Sequence, residues 1–133
     1  MPSGQKKQMN ELSGIIVTSA IEVHKTLGGP GLLEGVYEEA LCWELQERGV
    51  LIERQIEVSV AYKGHNLAYP LRLDLLVDRR IIIEVKSVAQ YNSIFEAQLL
   101  TYLRLMNLKL GLVINFGEKM VKDGIHRVIN GVL

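Results

Sequence analysis

Apolar residues recur at helical spacing between Asn10 and Leu27, where Ile16, Ala20, Val23 and Leu27 form one stripe, with Asn10 placed to cap the helix and Gly28 and Gly29 to stop it. After the break Gly28-Gly29-Pro30-Gly31, a second helical stretch is expected over Leu32 to Arg48, closed by Gly49 at the C′ position. The period then changes from helical to twofold. Ile52 to Tyr62 reads as a strand, with Ile56, Val58 and Val60 alternating against Glu57 and Ser59, and Lys63 to Asn66 is a hairpin signal. The chain is expected to return through Leu67 to Val77, turn at Asp78 to Arg80 and run out again through Ile81 to Ser87, making a three-stranded antiparallel meander. Helical spacing resumes from Ser93 to Met106, with Phe95, Leu99, Tyr102 and Met106 on one stripe and Asn92 or Ser93 as cap. A short apolar strand, Lys109 to Asn115, a turn at Lys122 to Gly124 and an edge strand at Ile125 to Ile129 complete the pattern. Helices interspersed with strands in this order specify an α/β or α+β mixed sheet rather than a bundle or sandwich. The strand that follows the third helix is expected to lie parallel to one neighbour.

Composition narrows this picture. With 133 residues, 48% of them hydrophobic, and no repeat, linker or low-complexity tract, one domain over 1–133 is expected, its polar first nine residues disordered. Fifteen basic residues balance fifteen acidic ones, so any nucleic-acid contact has to come from a local patch or from an oligomer, such as a homodimer through the first helix or last strand. The lone Cys42 reads as a buried thiol in a reducing compartment. No signal-peptide pattern or membrane-length apolar run is present, which makes a cytoplasmic location and no membrane partner the expectation.

The polar residues that interrupt apolar patterns carry the candidate chemistry. If Asp78, Arg79 and Arg80 form a three-residue loop, Val77 pairs with Ile81, and counting back sets Asp74 opposite Glu84 and Arg72 opposite Lys86. Like charges facing each other in an antiparallel pair cost about 0.2–1 kcal/mol, and more when buried, unless a divalent cation lies between them. Alternation sets Ile82, Glu84 and Lys86 on one face and Ile81, Ile83 and Val85 on the other. Hard cations such as Mg²⁺ or Mn²⁺ take carboxylate oxygens, a backbone carbonyl and waters, and Asp74, Glu84 and the carbonyl of Val85 supply that set. A lysine beside such a cation helps deprotonate water or stabilises charge on a phosphate, as phosphodiester hydrolysis requires.

Two helices add to this. On the second, Glu34 and Glu38 share a sector with Leu41 and Leu45; Glu34 is either a first-turn acid favoured by the helix dipole or an inward group of the site, and a salt bridge would account for Glu38. On the third, Gln98 shares the stripe of Phe95 and Tyr102, where its amide either orients a ligand oxygen or bonds a backbone group. A D…ExK pattern by itself also fits a same-face ion pair on an edge strand. Other candidates read as structure: the glycines lack the Lys-Ser/Thr ending of a phosphate loop, His24, His65 and His126 lack ligand spacing, and Trp43 and Tyr62 suit a core or interface.

The order of helix with Glu, meander with Asp then Glu-x-Lys, helix with Gln and strand resembles the PD-(D/E)XK nuclease-like superfamily. GLLEGVY at Gly31 to Tyr37 looks like the signature of the GxxExxY proteins, a group of small prokaryotic proteins within it, and ERGVLIERQ, LDLLVDRRIIIEVKSV, EAQLLTYL and GLVINFG agree. The resemblance covers about residues 12 to 129. It implies a restriction-endonuclease-like core, with Asp74 and Glu84 as metal ligands, Glu34 as the helical acid that joins them, Lys86 as catalytic lysine, and Gln98 and Tyr102 as a Gln-x-x-x-Tyr helix motif. The leading Pro of the superfamily motif is absent before Asp74, where Leu73 stands. The function expected is a Mg²⁺- or Mn²⁺-dependent nuclease acting on DNA or RNA. A catalytically silent binding or assembly module of the same fold is the alternative, and hydrolysis of a small phosphoester a third reading.

Overall fold

The computed structural model describes residues 3–133, and Met1 and Pro2 lie outside them. Two helices, α1 (Ser3–Thr26) and α2 (Glu34–Glu47), precede strand β1 (Ile52–Val58), a two-residue-per-arm hairpin of β2 (Ala61–Tyr62) and β3 (His65–Asn66), and strands β4 (Leu71–Val77) and β5 (Ile81–Lys86). Helix α3 (Ile94–Met106), strand β6 (Leu110–Asn115), a 3₁₀ turn (Val121–Gly124) and strand β7 (Ile125–Ile129) follow. The main sheet has the order β1-β4-β5-β6-β7, with only the β5–β6 pair parallel. This is the mixed α/β sheet expected from the pattern, with the α3 crossover giving the parallel neighbour. Among the described residues no helix is long and apolar enough to cross a membrane.

Helix α1 starts seven residues before the expected cap, and residues 3–9, expected to be disordered, are helical. The apolar stripe begins earlier than Ile16: Met9 and Leu12 are buried with it, so burial carries the helix back past Asn10. Asn10 is not an N-cap; its side-chain oxygen accepts a 2.8 Å hydrogen bond from Arg127 Nη2 on β7. Helix α2 stops as expected. Gly49 has φ +78°, its amide bonds Gln46 O and the Val50 amide bonds Leu45 O, the double closure that a left-handed C′ residue permits.

Two apolar layers flank the sheet. Ile81, Ile83 and Val85 pack with α1 and α2 residues such as Ile16, Tyr37 and Leu41, while Ile82 packs with Leu99 and Leu103 of α3. Alternation is regular in β5 but not in β1 and β4. Ile52, Leu75 and Val77 belong to the first layer, whereas Ile56, Val58 and Leu73 belong to the second. The change of face falls at Gln55, whose φ is +53°, and the ladder there pairs Arg54 with Leu75 and Ile56 with Leu73 but leaves out Gln55 and Asp74. One long strand over Ile52 to Tyr62 therefore does not form, and its end becomes the separate small hairpin. That hairpin turns at Lys63 and Gly64, both with positive φ, the backbone a two-residue turn requires.

The parallel pair is closed by a clamp at the ends of β5 and β6. Asn115 is fully buried; its Oδ1 accepts from the amides of Val88 and Gly117, both at 3.0 Å, and its Nδ2 donates to Val88 O at 3.1 Å. Gly117 lies so close to Val88 that a Cβ there would overlap its carbonyl. Gly117→Ala is therefore expected to destabilise the fold by about 2–3 kcal/mol, because backbone rather than a flexible side chain has to move. Urea denaturation checks this, and an unchanged midpoint would show that the loop tolerates the shift.

Candidate active site

The β4–β5 turn is the three-residue loop expected: Val77 pairs with Ile81, Leu76 with Ile82 and Leu75 with Ile83. Asp78 and Arg79 both take positive φ, and the Arg80 amide bonds Val77 O at 2.9 Å. The next pair in this register is Asp74 with Glu84, but the ladder stops short of it. Asp74 Oδ2 instead accepts from the Val85 amide at 2.8 Å, so a side chain does the work of a missing strand bond. The counted Arg72–Lys86 pair is not part of the ladder either; Arg72 pairs instead with Glu57 of β1 at 2.8 Å.

Glu84 is buried, and its Oε1 has no hydrogen-bond partner. Burial first, then the charge of Asp74 and a hydrogen bond shared with it, push the Glu84 carboxyl up to about 9, against a smaller downward pull from Lys86. The shift favours the protonated form in the cation-free protein. Asp74 and Glu84 are thus two hard oxygen donors held together with one oxygen orphaned, an arrangement that fits a divalent cation.

Lys86 is half-buried, with its Nζ 4.6 Å from the centre of the Phe95 ring on α3. The aromatic face holds the ammonium beside the acid pair through a cation–π contact. Tyr102, one helical turn beyond Gln98, is half-buried and senses both acids: desolvation, then the charges of Glu84 and Asp74, raise its phenol above the usual range. Asp74, Glu84, Lys86 and Tyr102 therefore gather on the α3 side of the sheet.

Glu34 and Gln98 depart from expectation. The helical stripes aim both at the apolar face, yet both are exposed, which leaves Glu34 as a first-turn acid at the start of α2. The carboxylate buried on α2 is Glu38, which accepts from Arg54 Nε at 2.6 Å and from Gln55 Nε2 at 2.8 and 2.9 Å. It clamps the stretch where β1 changes face. Among the described residues no three His, Cys, Asp or Glu side chains converge, so Glu34 does not join Asp74 and Glu84 as a third ligand. Its helix nevertheless begins near the site: the Ser87 hydroxyl, one residue past Lys86, donates to Leu32 O at 2.6 Å.

The Tyr of the Gly-x-x-Glu-x-x-Tyr stretch explains that placement. Tyr37 is fully buried, stacks on Phe116 with centroids 4.6 Å apart, donates to Gly29 O at 2.7 Å and accepts from the Leu32 amide at 3.2 Å. It fixes the 28–33 loop against the ends of β5 and β6. His24 has a related structural role, with its Nε2 3.2 Å from Phe116 O.

A neighbouring group was not anticipated from the sequence. Glu84 pairs with Val113 and Val113 with His126, which puts Glu84 and His126 on one row of the sheet. His126 stacks on Tyr91 at 3.9 Å, faces Glu96 Oε2 at 3.9 Å and has a buried Nε2 without a partner. Its only signal in the sequence was a polar residue at an inward position of a strand.

The fold has a counterpart in the crystal structure of SSO0001, with a TM-score of 0.52 at 17% identity over 75% of this chain. The match takes in 52% of that protein, so the chain spans about half its length. No curated protein matches the sequence. The model of the PD-(D/E)XK nuclease superfamily matches residues 10–128, a span that holds the helical Glu, the Asp74 and Glu84 pair, Lys86 and the α3 motif, and the chain belongs to that superfamily.

Proposed function

We propose that the protein is a divalent-cation-dependent nuclease, with Mg²⁺ or Mn²⁺ held by Asp74, Glu84 and the carbonyl of Val85. The observation that carries this reading is the Asp74–Glu84 pair with its orphaned buried oxygen, set beside the half-buried Lys86. When bound, the cation supplies Lewis-acid polarisation of the phosphoryl group and lowers the pKa of water. The remaining chemistry belongs to the chain. Glu84, once ionised, would hold the cation with Asp74, while Lys86 and the Tyr102 hydroxyl offer charge and a hydrogen bond to the phosphate oxygens as negative charge builds there. Glu34 and Gln98, both exposed, are left free to meet substrate or outer waters. The GLLEGVY stretch further supports a place among the GxxExxY proteins.

Purified protein is expected to cleave single- or double-stranded DNA or RNA with Mn²⁺ or Mg²⁺ and not with EDTA. No cleavage of any of the four substrates would overturn the reading. The silent-module alternative draws on the lack of a third converging carboxylate among the described residues. Calorimetry separates the two, because a silent module takes up no Mn²⁺.

A further inference from the structure

The chain is neutral overall, and its ion pairs leave the positive charge unevenly distributed. Arg48, Arg54, Arg72, Arg79 and Arg80 are each held by an acid. Lys25, Lys119 and Lys122 enter no ion pair among the described residues, and all three line one cavity of about 400 Å³ between the end of α1 and the loop after β6. The two acids of that loop, Glu118 and Asp123, are not in its lining, whereas Ile21, Met120 and Val121 are. Three lysines over an apolar floor make a site for a phosphodiester together with the nucleoside it carries.

The position agrees with this. One wall, Gly28 and Gly29, is tied by the Tyr37 hydroxyl, and the other follows Phe116, whose amide donates to Lys86 O at 2.8 Å. The second wall therefore meets the carboxyl ends of β5 and β6, the edge at which open α/β sheets receive ligands. The cavity lies on the α1 side of the sheet and the acids on the α3 side, so a nucleic-acid strand that reaches both passes round this edge. We infer that the Lys25–Lys119–Lys122 cavity binds the phosphate backbone of the nucleic-acid strand whose neighbouring segment lies at Asp74, Glu84 and Lys86. This rests on the nuclease reading and adds to it a binding subsite that supplies affinity without chemistry.

Salt dependence of binding tests it. Labelled single- and double-stranded oligonucleotides are titrated in EDTA, followed by anisotropy, in NaCl from about 50 to 200 mM. Replacing all three lysines by Ala is expected to lower the slope of log K against log salt by about 2 to 3 and to weaken binding roughly tenfold or more. Lys63→Ala, on the small hairpin, is expected to keep the slope. A triple variant with the wild-type slope would overturn the inference, as would wild-type protein that binds neither oligonucleotide. Cleavage by wild-type protein in Mn²⁺, scored separately, decides the nuclease reading whichever way the slopes fall.

Discussion

Glu84→Gln is expected to make the cation-free protein more stable and the cation-loaded protein less so. The folded-state pKa of Glu84 is raised, to about 9 from an ordinary 4.5, so its contribution is fully present below about 4.5 and is lost as pH rises through about 9. Glutamine has the shape of the protonated acid, offers an N–H to Asp74 in place of the O–H, and does not titrate. At pH 7 the variant is therefore expected to be more stable by up to about 3 kcal/mol, a gain of several degrees in Tm, with the difference vanishing near pH 4. Saturating Mn²⁺ is expected to reverse the order, adding about 4.1 kcal/mol to wild type at a roughly thousandfold excess over Kd and little to the variant. Thermal melts from pH 4 to about 9, with and without Mn²⁺, measure both arms. Parallel pH curves would refute the buried-acid argument, and equal Mn²⁺ stabilisation would remove Glu84 from the cation site.

The second large effect is on turnover. Lys86→Met keeps an unbranched apolar stem against Phe95 while removing the charge, and it is expected to lower the cleavage rate about 10²- to 10⁴-fold. Its cost in stability should be small, because a partly exposed cation–π contact contributes only about 0.5–1 kcal/mol. Mn²⁺ binding should persist, since the cation is assigned to Asp74 and Glu84. Cleavage at the wild-type rate, with the fold and Mn²⁺ binding intact, would show that the ammonium takes no part in the reaction.

The centre of the site was readable because it depends on counting within one hairpin. Val77 and Ile81 flank three turn residues, and the twofold period does the rest, bringing Asp74 to Glu84 and separating Glu84 from Val85. Helical stripes gave less. A stripe says which way Glu34 and Gln98 point, but not whether anything stands opposite them, and both lie in the early turns of their helices. Glu38, one turn further along α2, does meet a partner and is buried by it. The change of face at Gln55 was hidden for a different reason: a positive φ in a non-glycine residue leaves no trace in hydrophobic alternation. The start of α1 was missed because Met9 stands outside the first obvious run of the stripe, yet it is buried with it.

The short loop between β4 and β5 also has a meaning in time. Asp74 and Glu84 are brought near each other by closing a hairpin of neighbouring residues, which is among the faster contacts a folding chain makes. Lys86's aromatic seat and Tyr102 arrive only with α3, and the lysine cavity only after β6 has paired beside β5. The acids would thus be assembled before the groups that cover them and before the surface that recruits a strand, an order in which the chain acquires its reactive centre first and its grip on substrate last.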